Sequence, residues 1–420
     1  MDFPNKRRSE KLENKQKLMN NKKGEPANKI QDLQFFGEFG GVNPSIADSS
    51  TFTYLEGKTM GDVFEGTREG CYLYSRHTNP STPYLGQAIS EMEYTKGAIL
   101  SASGMGAITS TILQICSAGD EIISSRTIYG GTYAFMKNYL PKFKIKTTFV
   151  DTTKLERIES SITENTKVIY CETMSNPLLE ISDIHAISKL AKKHNIKLVV
   201  DNTFTPMIFS PARMGADIVI HSLTKFINGT SDTVGGVICS NEEFIGELID
   251  VNSGSAMLLG PVMDSLRAAS ILKNTRTLHL RMKKHSENAM YLAKAFQKDG
   301  LRVIYPGLEN HPQNKMMKLN MNIGFGFGGI FVIDAKTKEQ ANTLMEEMQN
   351  KNLGYLAVSL GFYKTLFSSP GLSTSSEIPD EERKIMGLSD SLIRISIGLD
   401  HDIERTYQTI IKCMKKAAIL

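Results

Sequence analysis

The stretch His221–Gly236, HSLTKFINGTSDTVGG, decides the reading of this chain, together with KLVVDNTF just upstream. Lys197–Val200 is an apolar run ending in a carboxylate, Asp201, and reads as a buried parallel strand. ADIVIHSLTK repeats the pattern: Ile218–Ile220 predicts a second strand, delivering Ser222, Thr224 and Lys225 at its carboxyl end. Open α/β sheets bind ligands at that edge. An amine, a carboxylate and two hydroxyls gathered there match what pyridoxal 5'-phosphate requires. The amine forms an imine with its aldehyde, the carboxylate keeps its pyridine nitrogen protonated, and donors hold its phosphate. Lys225 is assigned to the aldehyde, Asp201 to the ring nitrogen, and Ser222 and Thr224 to the phosphate. Either Lys225 or Asp201 alone would be an ordinary surface or loop residue.

The surrounding sequence supports an α/β enzyme. From about Tyr84, helical and strand patterns alternate, as in a helix-covered, mainly parallel sheet. MGAITSTILQICSAGDEII predicts a helix ending near Gly119 and then a strand, and TKVIYCET with KLVVDNTF frames a helix around IHAISKLAKKHN. From about Arg267 a long helical stretch runs through Phe296, followed by a smaller mixed domain built from IFVIDA, KEQANTLMEEMQNK and IERTYQTIIKCMKKA. No internal repeat is visible. Gly324, Gly326 and Gly328 precede a strand instead of linking a strand to a helix, so they predict a turn and not a dinucleotide site.

At 420 residues the chain exceeds the usual size of one core, and 40% hydrophobic with 22% charged residues is ordinary for a globular protein. No apolar run reaches the roughly 18 to 20 residues that span a bilayer, so no membrane insertion is expected. The net charge of +4 is concentrated in residues 1–29, which carry nine Lys or Arg against four Asp or Glu. The remainder is therefore close to neutral, which argues against a nucleic-acid face. Residues 1–30, rich in Lys and Asn, read as a disordered tail or loose helix without a secretory signal. Five cysteines with no CxxC pair fit a reduced, cytoplasmic compartment, and no metal site is expected.

Six separated motifs carry a family resemblance: YSRHTNP (Tyr74–Pro80), SGMGA (Ser103–Ala107), YGGT (Tyr129–Thr132), ETMSNP (Glu172–Pro177), the lysine motif, and LIRISIGLD (Leu392–Asp400). Together they resemble the Cys/Met-metabolism, or trans-sulfuration, family of pyridoxal-phosphate enzymes. FGEFGGVNPSIADSSTF, VIYPGLENHPQ and the Ser373–Glu377 run are most similar to the plant-type methionine γ-lyases. The resemblance implies a fold-type I PLP-dependent transferase: a large domain with a mainly parallel seven-stranded sheet, residues 81–266, and a smaller C-terminal α/β domain, residues 267–420. Residues 31–80 would be an arm contacting a neighbouring subunit, in a homotetramer built as a dimer of dimers with shared active sites.

The resemblance also extends the candidate site. SGMGA opens a helix, where the N–H groups of Gly104 and Met105 can bind phosphate. Tyr129 would stack on the pyridine ring and handle protons, and Asn176 would bond the cofactor's phenolic oxygen. Tyr74 and Arg76 would bind phosphate in the neighbouring subunit's site. Arg394 would grip the substrate carboxylate, assisted by Ser359. The cystathionine enzymes carry Glu-Ser-Leu-Gly where this chain reads AVSLG, and Val358 suits the apolar tail of methionine. Gly131 stands where bacterial methionine γ-lyases have a cysteine. The expected reaction is γ-elimination of L-methionine to methanethiol, 2-oxobutanoate and ammonia. A γ-replacement transferase (an O-acetylhomoserine sulfhydrylase or cystathionine γ-synthase) and a cystathionine γ-lyase are the alternatives.

Overall fold

The computed structural model describes residues 25–65, 67–68, 70–372 and 380–420, and the Ser373–Glu377 run lies outside the described residues. Its larger sheet has seven strands: β1 (Gly97–Ser101), β2 (Glu121–Ser125), β3 (Lys146–Val150), β4 (Thr166–Glu172), β5 (Lys197–Asp201), β6 (Ile218–Ser222) and β7 (Gly236–Ser240). They lie in the order β1-β7-β6-β5-β4-β2-β3, parallel except that β7 runs antiparallel to both of its neighbours. The runs read as strands are apolar on both faces because both faces are covered. In β5, Leu198 and Val200 enter one core cluster while Val199 enters the other.

Covering helices form for local reasons. Ile184–Lys193 is capped by Asp183, whose side chain accepts from the Ala186 N–H, and it buries Ile184, Ile187, Leu190 and Ala191 along one face. The predicted helix at SGMGA spans Gly104–Ile115 and stops short of Gly119.

A second sheet of five strands, in the order β10-β11-β12-β9-β8, comprises β8 (Val303–Ile304), β9 (Ile330–Asp334), β10 (Gly354–Leu356), β11 (Thr365–Ser368) and β12 (Leu392–Ser396). Its core includes Leu292, Phe296, Phe331, Leu344, Ile395 and Met414. Gly324, Gly326 and Gly328 all have positive φ, in keeping with a turn into β9.

Two boundaries differ from the sequence reading. The helical stretch from Arg267 is two helices, Ser265–Thr275 and Leu278–Lys298, and the first packs against Thr82–Glu93 of the large domain. Residues 1–24 of the basic tail lie outside the described residues, and its end, Glu25–Gln31, is a helix that joins the core: Pro26 is buried, Ala27 and Ile30 pack on the core, and Lys29 pairs with Glu91 at 3.1 Å.

Candidate active site

Three adjacent strands end at one edge. Glu172 closes β4, Asp201 closes β5 and Ser222 closes β6, with Glu172 and Asp201 directly paired in register. Beyond them lies a cavity of about 220 Å³ lined by residues that include Gly104, Met105, Tyr129, Asn176, Ser222, Thr224, Lys225, Val358 and Arg394. The turn after β6 is anchored by the fully buried Leu223, Phe226 and Ile227, leaving Thr224 and Lys225 on the cavity wall.

The Lys225 Nζ donates to Ser359 Oγ at 3.1 Å, and burial, followed by repulsion from Arg394, lowers its pKa to about 8. A depressed amine pKa leaves more of the free base that attacks a carbonyl. Arg394 is 2% exposed in the middle of β12, where no carboxylate among the described residues meets it. Its Nη1 donates to Asn176 Oδ1 at 3.0 Å and its Nη2 to the carbonyls of Val358 and Ser359, while Nε is without a partner. Burial pushes its pKa down to about 10. A guanidinium desolvated this far and paired only with neutral oxygens is prepared for a carboxylate. Because Arg394 fixes the oxygen end of Asn176, the amide's NH2 remains available to donate.

Asp201 accepts from the Thr203 N–H at 2.9 Å and from the Tyr170 hydroxyl at 3.4 Å. Burial raises its pKa, opposed by the Thr203 bonds and by His221. Glu172 is pushed well above the usual carboxyl range by burial and by Asp201, although it accepts the N–H groups of Tyr129 and Asn176, each at 2.8 Å. Two buried carboxyls facing one cavity favour a ligand that brings positive charge, as a protonated pyridine nitrogen does. At the opposite wall, Ser103 caps the helix Gly104–Ile115 by accepting from the Gly106 N–H at 3.0 Å, which leaves the Gly104 and Met105 N–H groups for an anion. A Cβ on Gly104 would sit 2.8 Å from the Ser222 Cβ, so glycine is what lets the helix start lie against that hydroxyl. The donors, cation seat and amine thus fit pyridoxal phosphate. The Thr224 hydroxyl is also tied to the backbone of Gly235.

Tyr129 is 42% exposed at the start of the helix Gly130–Ala134, its ring folded over Gly131. A Cβ there would stand 2.5 Å from the ring. Val358 lines the cavity but is 62% exposed. Tyr74 and Arg76 do not line it. Arg76 instead lies over the Tyr74 ring, with its Nη1 donating to the Met257 carbonyl at 3.2 Å. Two residues went unassigned in the sequence. Glu172 holds the backbones of Tyr129 and Asn176, and Thr203 bridges Asp201 to Ser222, whose N–H it accepts at 2.8 Å. A carboxylate ending the apolar strand TKVIYCE was the available signal for Glu172.

Fold and site together define a pyridoxal-phosphate enzyme of fold-type I. A family model described as Cys/Met metabolism PLP-dependent enzyme matches residues 29–410, and the chain belongs to that family. Methionine gamma-lyase of Arabidopsis thaliana is 42% identical over 390 residues, covering 91% of this chain and 88% of its own. Cystathionine gamma-lyase of Bacillus subtilis is 37% identical, covering 78% of this chain and 85% of its own. The structure of a putative O-acetylhomoserine (thiol)-lyase from Campylobacter jejuni, which carries N'-pyridoxyl-lysine-5'-monophosphate, superposes with a TM-score of 0.86 at 27% identity, covering 93% of this chain and 99% of that one.

Proposed function

We propose that the protein catalyses γ-elimination of L-methionine, with water consumed and methanethiol, 2-oxobutanoate and ammonia released. The observation that carries the choice of substrate is the cavity wall. Met105, Ile108, Met174, Phe204, Val234, Val358 and Leu360 supply apolar surface, and its only carboxylates among the described residues are Asp201 and Glu172. Both already accept backbone N–H groups, which leaves no acidic partner for the second amino-acid head of cystathionine. A methyl thioether needs none. The methionine gamma-lyases among the relatives support the same choice.

Bound there, pyridoxal phosphate would supply an aldehyde for the substrate amine and an electron sink for the substrate's carbon chain. Lys225 holds the cofactor between turnovers, then removes the proton at Cα and returns one at Cβ. Asp201 keeps the ring nitrogen protonated. Gly104, Met105, Ser222 and Thr224 take the phosphate, and Asn176 donates to the phenolic oxygen. Arg394, with Ser359, orients the substrate carboxylate, and Tyr129 stacks on the ring and protonates the leaving thiolate. We further propose a cytoplasmic homotetramer in which Tyr74 and Arg76 complete a second copy's phosphate site. The exposed Phe36, Phe39, Val42, Leu55 and Phe64 on the arm support this, since apolar side chains so fully in solvent call for a partner surface. Among the described residues, no helix is long and apolar enough to cross a membrane.

The deciding experiment measures 2-oxobutanoate release from methionine, homocysteine, cystathionine and O-acetylhomoserine in parallel. Highest kcat/KM on methionine is expected. Preference for cystathionine, or for O-acetylhomoserine with an added thiol, would replace this reading.

A further inference from the structure

On the long helix Leu278–Lys298, Arg281, His285 and Asn288 stand at i, i+4 and i+7 and therefore share one face. All three donate to main-chain carbonyls, and Arg281 Nε donates in addition to the Thr277 hydroxyl at 3.3 Å. Arg281 donates through Nη1 to the carbonyl of Phe226, and through Nη2 to those of Ile227 at 2.8 Å and Asn274 at 2.9 Å. His285 Nδ1 donates to the Ile397 carbonyl at 2.6 Å, and its ring meets Phe226 edge-on at 5.2 Å. The Asn288 amide donates to the carbonyls of Gly398 and Asp400, each at 3.0 Å. One end of this polar row thus holds the two residues that follow Lys225. The other holds the segment that continues β12 beyond Arg394.

Further contacts tighten the first end. Gly229, at φ +75°, lies so close to Arg281 that a Cβ would fall 2.4 Å from Nη1. Across the loop, a Cβ on Gly361 would fall 2.5 Å from the Phe226 nitrogen, so the peptide after Lys225 is gripped from both sides. Among the described residues no carboxylate pairs with Arg281, and burial lowers its pKa to about 10. A buried guanidinium facing three carbonyls and the Thr277 hydroxyl does not repay its desolvation by charge pairing. Its contacts give it a geometric role.

We propose that Arg281, His285 and Asn288 are positioning residues that set the spacing between Lys225, in the large domain, and Arg394, in the smaller one. An amino-acid substrate must present its amine at the lysine-held cofactor while its carboxylate reaches Arg394, so both groups are used only if that spacing is right. A displacement of about 1 Å in such a pair can lower the rate on the order of a hundredfold. The inference rests on the assignment of Lys225 to the cofactor and Arg394 to the carboxylate.

The test uses the holoenzyme with Arg281→Met, Asn288→Ala, the double variant, and Gly229→Ala, which disturbs the guanidinium without removing it. Borohydride reduction and peptide mapping first establish that Lys225 carries the cofactor; label on another lysine defeats the underlying assignment, not this inference alone. With Lys225 labelled, KM for methionine and the dissociation constant of glycine are expected to rise about tenfold or more in each variant. Binding of propionate, which reports Arg394 alone, is expected to hold. The double variant should fall short of the product of the single effects, since both act on one linkage. The inference is overturned if folded holoenzyme variants keep wild-type KM and glycine affinity, even with a lowered Tm, or if propionate binding weakens in step with glycine. Should Arg281→Met fail to fold, Asn288→Ala and Gly229→Ala decide between the same outcomes.

Discussion

Glu172→Gln isolates the residue that ties the aromatic and amide walls of the site together. The two carboxylate oxygens each accept one backbone N–H at 2.8 Å, from Tyr129 and from Asn176, in surroundings where Glu172 is 6% exposed. A glutamine offers one carbonyl oxygen and must turn its NH2 toward the other N–H, setting donor against donor. One bond is lost and a buried N–H is left without an acceptor, at a cost of about 1.5–3 kcal/mol. The expected result is a drop in kcat/KM for methionine of roughly 10- to 150-fold, with Lys225 still carrying the cofactor. 2-Oxobutanoate release measures the rate and a thermal melt controls for folding. A folded variant within twofold of wild type would mean that Tyr129 and Asn176 hold their places without Glu172.

In protein stripped of cofactor, the rate of recombination with pyridoxal phosphate should rise with pH and level off above about 8, where Lys225 has lost its proton. Replacing Arg394 with leucine keeps the burial but removes a repelling charge, so the plateau should move to higher pH; a move to lower pH would contradict the assigned cause. Val358→Glu should lower kcat/KM on methionine only about two- to fivefold, because a side chain that is 62% exposed keeps most of its hydration, while cystathionine turnover rises. No gain on cystathionine would remove Val358 from the account of specificity. Arg76→Ala and Lys225→Ala, each inactive, should regain partial activity when mixed and reassembled, and subunit exchange without recovery would place Arg76 in its own chain's site.

The parts of the fold legible in the sequence are those where one strand or helix declares itself locally. Val168–Cys171, Leu198–Val200 and Ile218–Ile220 are continuous apolar runs because they are buried on both faces. The direction of β7 was not legible, since GVICS reads equally well in either sense and only its pairing with β1 and β6 fixes it. Nor was the break between Thr275 and Leu278, because apolar spacing continues through LHLRM across the turn. The helix Glu25–Gln31, at seven residues, is too short to be stable on its own. It is held by long-range partners, with Glu25 against Arg213 and Lys29 against Glu91.

The site divides along the same line. Asp201 and Ser222 could be found because each ends its own strand, and Lys225 because it follows three residues after Ser222, and a strand's end is visible in one dimension. Glu172 also ends a strand, yet its work is to accept the N–H groups of Tyr129, far upstream, and of Asn176, just past it, and no local pattern encodes the first partner. Arg281 lies further from view still, a charged residue on a long helix where a solvated face is the ordinary reading. Only the packed structure shows its guanidinium turned inward onto the carbonyls behind Lys225. Groups that meet the cofactor are chosen for chemistry and leave a signature by residue type. Groups that place them are chosen for reach, and reach is a property of the fold.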